Sequence, residues 1–202
     1  IMDDTLLVKE KNFYQLIDIN ENVINKDVFF KKVTTFNSLG YFAGGSYKEL
    51  SIYNRKGEKM NARNFLKVTH SKFNLFLAET SQGSGYLKPN GDSLMPLHFE
   101  IIKDFNEDGI AILKQDKKFF VINFKGDILY RSKIRLKKAI HSDYVEYKKK
   151  GLVKIISLKT GRVIKTPKIN KIISIEKDIL CYTYKDKKKM YSLKTRKRLA
   201  KK

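Results

Sequence analysis

The chain has 202 residues, 42% of them apolar and 32% charged, a balance that suits a folded single domain and excludes a disordered tail. No run approaches the roughly 18 apolar residues of a membrane helix. No charged-then-apolar leader opens the chain, although Ile1 ahead of Met2 is what a processed product would show. The net charge of +22 is unevenly placed: residues 1–109 hold 14 Lys+Arg against 14 Asp+Glu, and residues 110–202 hold 29 against 7. A genome rich in A and T explains many lysines alongside Ile and Asn, but not that asymmetry.

Taken in order, the apolar runs are strand-sized and recur. First strands are expected at 5–9 (TLLVK), 40–44 (GYFAG), 75–79 (LFLAE), 110–114 (IAILK), 144–148 (YVEYK) and 179–184 (ILCYTY). Short runs of this kind between turn formers are the signature of β-strands. After each comes a short polar link, a second strand, a tight turn and a third strand. The turns centre on Glu21, Gly57, Gly91, Gly126, Gly161 and Arg196, at intervals of 36, 34, 35, 35 and 35 residues. A period with so little drift marks a repeat architecture. Glycine at four of the six turns follows from the positive φ that tight hairpins demand.

A fourth piece closes each unit on an apolar anchor: Phe36, Phe73, Phe105, Ile140 and Ile175. Units therefore fall near 5–38, 39–74, 75–109, 110–143, 144–178 and 179–202, within a single repeat domain spanning 1–202. No stretch holds a sustained 3.6-residue apolar period, so no long helix is expected. Residues 133–140 (KIRLKKAI) come nearest, but they align with strand-like segments elsewhere.

An all-β chain of about six 35-residue units leaves two architectures, a β-propeller of small blades and an open β-solenoid. The propeller, with five or six blades, is favoured. The last unit stops soon after its third strand and residues 1–4 are too few to supply a fourth, so an irregular last blade or an incomplete ring is expected.

Residues 84–123 carry a glycine-turn hairpin (Gly85-Tyr86-Leu87, Asn90-Gly91), then Pro96 with Phe99-Glu100. Phe105 with Glu107, Gly109 and Ala111 follows, and then Lys118 to Asn123. In that order and spacing the unit resembles the WG-repeat (KWG-repeat) family. The family's Trp-Gly pair is replaced by Phe119-Phe120, and the chain has no tryptophan. The resemblance is good over that unit, fair over 110–164, and a matter of spacing at the ends. It implies a propeller-like interaction or scaffold module with no shared catalytic set.

Candidate chemistry is sparse. His70, His98 and His141 fall at different offsets in their units without metal-pair spacing, and the single Cys181 excludes an internal disulfide and thiolate metal sites. Cys181 reads as a small core residue. Ser46 and Ser84 among glycines match neither a nucleophile elbow nor a phosphate loop. Asp104, Glu107 and Asp108 read as an exposed turn, not a calcium loop. Glu79 and Glu146 are isolated carboxylates in first strands, too few for an axial active site. No catalytic residue, cofactor or metal is therefore expected.

The links between first and second strands are richer. They place Lys114, Lys117 and Lys118, then Lys148, Lys149 and Lys150, then Lys185, Lys187, Lys188 and Lys189 at corresponding positions of successive units, and the tail adds Arg196, Lys197 and Arg198. A positive cluster of this kind attracts polyanions and releases counterions on binding. Tyr147, Tyr182, Tyr184 and Tyr191 alternate along strands and read as core or cross-strand residues before base-stacking ones. The expected function is a non-enzymatic module that binds another macromolecule, with a protein as first partner. The alternative partner is a polyanion, nucleic acid or anionic glycan, held by the basic second half. Nothing in the sequence fixes the compartment.

Overall fold

The structure, a computed structural model, describes residues 5–24, 26 and 28–199. Among these residues every regular element is a β-strand, every ladder is antiparallel, and no helix is long and apolar enough to cross a membrane. The strands form six small sheets in chain order.

The first sheet pairs β1 (Leu6–Glu10) with β2 (Phe13–Ile17), and the following chain bridges back onto β2 at Val23 and Phe30. In the second, β3 (Lys32–Val33), β4 (Phe42–Gly45) and β5 (Leu50–Tyr53) lie in that order. The third contains β6 (Lys67–His70), β7 (Phe76–Thr80) and β8 (Gly83–Leu87). The fourth runs through β9 (Glu100–Lys103), β10 (Ile110–Gln115), β11 (Lys118–Asn123) and β12 (Ile128–Ser132). The fifth holds β13 (Leu136–His141), β14 (Tyr144–Lys149), β15 (Leu152–Ser157) and β16 (Val163–Ile164). The sixth ends the series with β17 (Lys171–Glu176), β18 (Ile179–Tyr184), β19 (Lys187–Ser192) and β20 (Arg198–Leu199). The KIRLKKAI stretch thus contributes to strand β13.

The six repeated turns share one backbone solution. Glu21, Gly57, Gly91, Gly126, Gly161 and Arg196 all sit at positive φ, between 58° and 91°. In the first four, the N–H of the turn residue donates to the carbonyl three residues back, as from Gly126 to Asn123 at 3.0 Å. In the last two, the bond reaches back four residues, from Gly161 to Ser157 and from Arg196 to Ser192, both at 2.8 Å. The residue opening the turn often fixes it with its side chain. Asn54 Oδ1 accepts from the N–H groups of Lys56 and Glu58, and Asn123 Oδ1 does the same for Lys125 and Asp127. Such local side-chain acceptors satisfy turn donors that have no ladder partner.

The sheets are out of phase with the sequence units. The fourth piece of a unit pairs with the first strand of the next unit: β6 with β7, β13 with β14, and β17 with β18. The last sheet therefore has its four strands, and it is the first sheet that, among the described residues, begins directly with β1. The final sequence unit, 179–202, supplies three of those strands, β18, β19 and β20. Phe73 departs from its expected role, being 41% exposed at a φ of 59° while Leu75 takes the buried place.

The chain divides into two compact units, Ile1–Glu100 and Ile101–Lys202. In the first, Leu16, Phe30 and Phe42 form a core between the first two sheets, and Ala43, Ile52, Phe65, Val68, Phe76 and Leu87 form another between the second and third. Gly44 lies under the Phe30 ring, where a Cβ would come 2.6 Å from Phe30 Cδ1. In the second unit, Ile112, Val121, Leu136, Val145 and Ile156 join the fourth and fifth sheets. Ile155, Ile172, Leu180, Tyr182 and Tyr191 join the fifth and sixth. Each strand alternates its side chains between the two faces, so a sheet with neighbours on both sides is apolar on both.

Candidate polyanion-binding surface

Three hairpin tips of the second unit are built alike. Between β10 and β11, Asp116 and Lys117 take φ of 47° and 62°; between β14 and β15, Lys150 and Gly151 take 50° and 76°; between β18 and β19, Lys185 and Asp186 take 51° and 57°. The closing pairs are Gln115 with Lys118, Lys149 with Leu152, and Tyr184 with Lys187. Two central residues at positive φ are what a two-residue type I′ loop requires, and its twist matches that of the strands. The tips are thereby held rigidly by six-residue ladders, with lysines on and beside them.

Lys117, Lys118, Lys148, Lys149, Lys150, Lys185, Lys187 and Lys188 are exposed, whereas Lys114 and Lys189 are half-buried. Alternation sends neighbours to opposite faces. Lys148 lies opposite Val153 of the core shared with the sixth sheet, and Lys149 projects to the other side. In β19, Lys187 and Lys189 share the face of Tyr191, while Lys188 shares the opposite face with Met190. Lys185 Nζ and Lys189 Nζ sit 5.9 and 5.5 Å from the centre of the Tyr184 ring, a cation–π arrangement that gathers two ammonium groups at one spot.

Arg198 joins Lys187, Lys188 and Lys189 around a groove of about 580 Å³ that also touches Asp186, Met190 and Leu199. Arg196 and Lys197 belong instead to the β19–β20 turn, at the end of the sheet away from the Lys185–Asp186 tip. Of the tyrosines, Tyr147, Tyr182 and Tyr191 are buried in cores and Tyr184 is half-buried beneath its lysines.

A second groove, of about 400 Å³, runs along the same sheet past Ser174, Glu176, Lys177, Ile179, Cys181, Lys188 and Met190. The sequence pointed to the tips and not to this groove. In ILCYTY, Leu180 and Tyr182 take the core side, so Cys181 faces out, opposite Met190, instead of filling the core. The alternation was the available signal.

The remaining candidates stay apart. His98 stacks on Phe99 with ring centroids 4.8 Å apart, and the His70 ring nitrogen bonds the Thr35 carbonyl. His141 Nδ1 lies 3.1 Å from Ser142 Oγ. Glu146 is buried, with Lys137 Nζ 3.8 Å away, and Glu79 is exposed. Ser84 lies within β8, and Asp104 Oδ1 accepts from the Phe105 N–H. Among the described residues no three His, Cys, Asp or Glu side chains gather as a metal site.

No family model matches the sequence, and no curated protein matches it. Solved structures with some likeness include Hsv2p of Kluyveromyces lactis, at 10% identity and a TM-score of 0.42, covering 94% of this chain and 71% of that one. A eukaryotic initiation factor is similar at 12% identity and a TM-score of 0.47, over 95% of this chain and 61% of its own. At this level they assign neither family nor partner.

Proposed function

We propose that the chain is a non-enzymatic interaction module, a WG-repeat-like array of small sheets arranged in the manner of a β-propeller, which binds another macromolecule. The supporting observation is the succession of sheets that bury one another's faces while holding their hairpin tips outward on rigid ladders. Such a frame spends its apolar residues on its own cohesion and leaves the tips for a partner. The test is co-purification from the native cell. A stoichiometric protein partner is expected, and a chain that stays alone in every preparation removes the reading.

The charge favours a second reading, in which the partner is a polyanion. The three type I′ tips of the second unit all present exposed lysines, and Lys117, Lys118, Lys148, Lys149, Lys150, Lys187 and Lys188 make no ion pair with a carboxylate among the described residues. Fluorescence titration with RNA, DNA and heparin at two salt concentrations tests this. Binding should weaken steeply with salt, and converting Lys148–Lys150 and Lys187–Lys189 to Ser should abolish most of it. Absence of binding at low salt, or no loss in the variant, overturns it.

A further inference from the structure

One hairpin tip breaks the regularity of the repeat. The links Lys11-Asn12, Ser81-Gln82, Asp116-Lys117, Lys150-Gly151 and Lys185-Asp186 are each two residues long. The link between β4 and β5 has four, Ser46-Tyr47-Lys48-Glu49, closed by the pair of Gly45 with Leu50. Gly45 permits the longer tip: its φ is 149°, and a Cβ there would collide with the Glu49 carbonyl oxygen. An insertion confined to one copy of a repeat falls in a loop, often on the face that binds. Here it carries Tyr47, which is 70% exposed.

Beside this tip lies a cleft of about 520 Å³ lined by Lys9, Asn12, Phe13, Tyr14, Lys31 and Tyr47. All six belong to the first compact unit. Lys9 stands opposite Tyr14 in the β1–β2 ladder, on the face that sends Leu7 and Leu16 toward the core shared with the second sheet. The chain crosses between those sheets at Lys31. The Tyr14 N–H donates to the Phe30 carbonyl at 2.7 Å and receives a bond of 3.1 Å in return, and the Lys31 N–H donates to the Gly45 carbonyl at 2.9 Å. Lys31 is thereby fastened to the base of the Tyr47 tip.

No carboxylate lines the cleft, and Lys9 and Lys31 make no ion pair with a carboxylate among the described residues. Two ammonium groups around one open space favour an anion between them. Tyr14 is half-buried against the core, whereas the Tyr47 ring is open to a planar partner, and exposed aromatic rings beside positive charge are stacking platforms for bases. The Asn12 amide can bond a sugar hydroxyl or a base edge. The volume falls within the roughly 300–1,000 Å³ of small-ligand sites.

We propose that this cleft binds a nucleotide, Lys9 and Lys31 holding its phosphate and the Tyr47 ring stacking on its base. The nucleotide arrives free, as a nucleoside monophosphate, or as one residue of a single strand. The site uses no lysine of the second-unit tips, so it stands apart from the polyanion reading.

Isothermal titration calorimetry of the full chain with adenosine, guanosine, cytidine and uridine monophosphates, and with single-stranded hexanucleotides of the same bases, tests it. Tyr47→Ala should weaken binding about tenfold, and Tyr47→Phe should leave it unchanged. Lys9→Ser with Lys31→Ser should abolish it, whereas Lys117→Ser with Lys118→Ser in the second unit should not alter mononucleotide affinity. Ribose 5-phosphate should bind more weakly and ignore Tyr47→Ala. The hexanucleotides are titrated into the protein with Lys148–Lys150 and Lys187–Lys189 converted to Ser, which removes the other basic surface. Tighter binding than the mononucleotide, sensitive to Tyr47→Ala, identifies the strand as the source, and equal affinity identifies the free nucleotide. Absence of binding by every mononucleotide and hexanucleotide overturns the proposal. So does an affinity that Tyr47→Ala leaves intact or that survives loss of both lysines.

Discussion

Two tyrosines show how differently one side chain can be used in the second unit. Tyr182 is fully buried and its hydroxyl has no hydrogen-bond partner among the described residues, while Tyr191 donates to the Lys165 carbonyl at 3.1 Å. A buried polar group without a partner carries a desolvation cost with no return. In urea denaturation, Tyr182→Phe should therefore be neutral or stabilising, and Tyr191→Phe should cost about 1 kcal/mol. Tyr144 is a third case. Its hydroxyl donates to Asp178 Oδ1 at 2.7 Å, tying the fifth sheet to the sixth. Burial, that bond and the charges of Asp178 and Asp143 push its phenol up to about 12. A folded value above the unfolded value of about 10 means that the contribution to stability is complete below about pH 10 and lost as pH rises through the folded value. Ultraviolet titration should find this phenol ionising late, and Asp178→Asn should bring it back toward the ordinary range.

At the scale of elements, the turns were legible and the phase was not. Glycine and asparagine punctuate four turns, and spacing alone located the other two at Glu21 and Arg196, both with positive φ. A periodic pattern has no origin, however, so nothing in it says whether the fourth piece belongs with the strand before it or after it. Hydrogen bonding decides that, in favour of the next unit. Phe73 was misjudged for a related reason: Phe73 and Leu75 both look like anchors, and the backbone turn at Phe73 and Asn74 gives the buried position to Leu75. The turn glycines differ in what surrounds them. A Cβ on Gly161 would meet nothing nearer than Tyr130 at 3.6 Å, whereas one on Gly91 would come 2.7 Å from the Met60 carbonyl oxygen. Both Ala substitutions force a left-handed residue and should cost about 1 kcal/mol. Gly91→Ala should cost at least about 1 kcal/mol more, because backbone must shift to make room. Thermal unfolding of the pair checks the difference.

At the scale of the molecule, the charge asymmetry points to the second half of the chain, and the hairpin reading puts lysines at tips that the structure exposes. The direction of each lysine was beyond the sequence, because neighbouring strand residues leave on opposite faces and the inner face is known only once the sheets are stacked. The tail residues Arg196 and Lys197, expected to add to the same positive charge, are carried by strand reversal to the other end of the sixth sheet. If a polyanion binds this surface, the salt slope of its affinity reads out how many lysines take part. For a single strand, each phosphate contact removed should make the slope shallower by about 0.7, so the slope of the six-lysine variant counts how many of those side chains take part.

The one-strand offset between sequence period and sheet also bears on how such a chain can change in length. Because a sheet borrows its leading strand from the stretch before it, duplicating or deleting a whole stretch of about 35 residues, from whatever starting point, keeps the order of strands and alters only the sheet at the junction. Gene duplication need not respect a module boundary to yield a foldable product. The edit is felt at the junction, where strands from two different units must pack together in one sheet, while the sheets on either side keep their own strands.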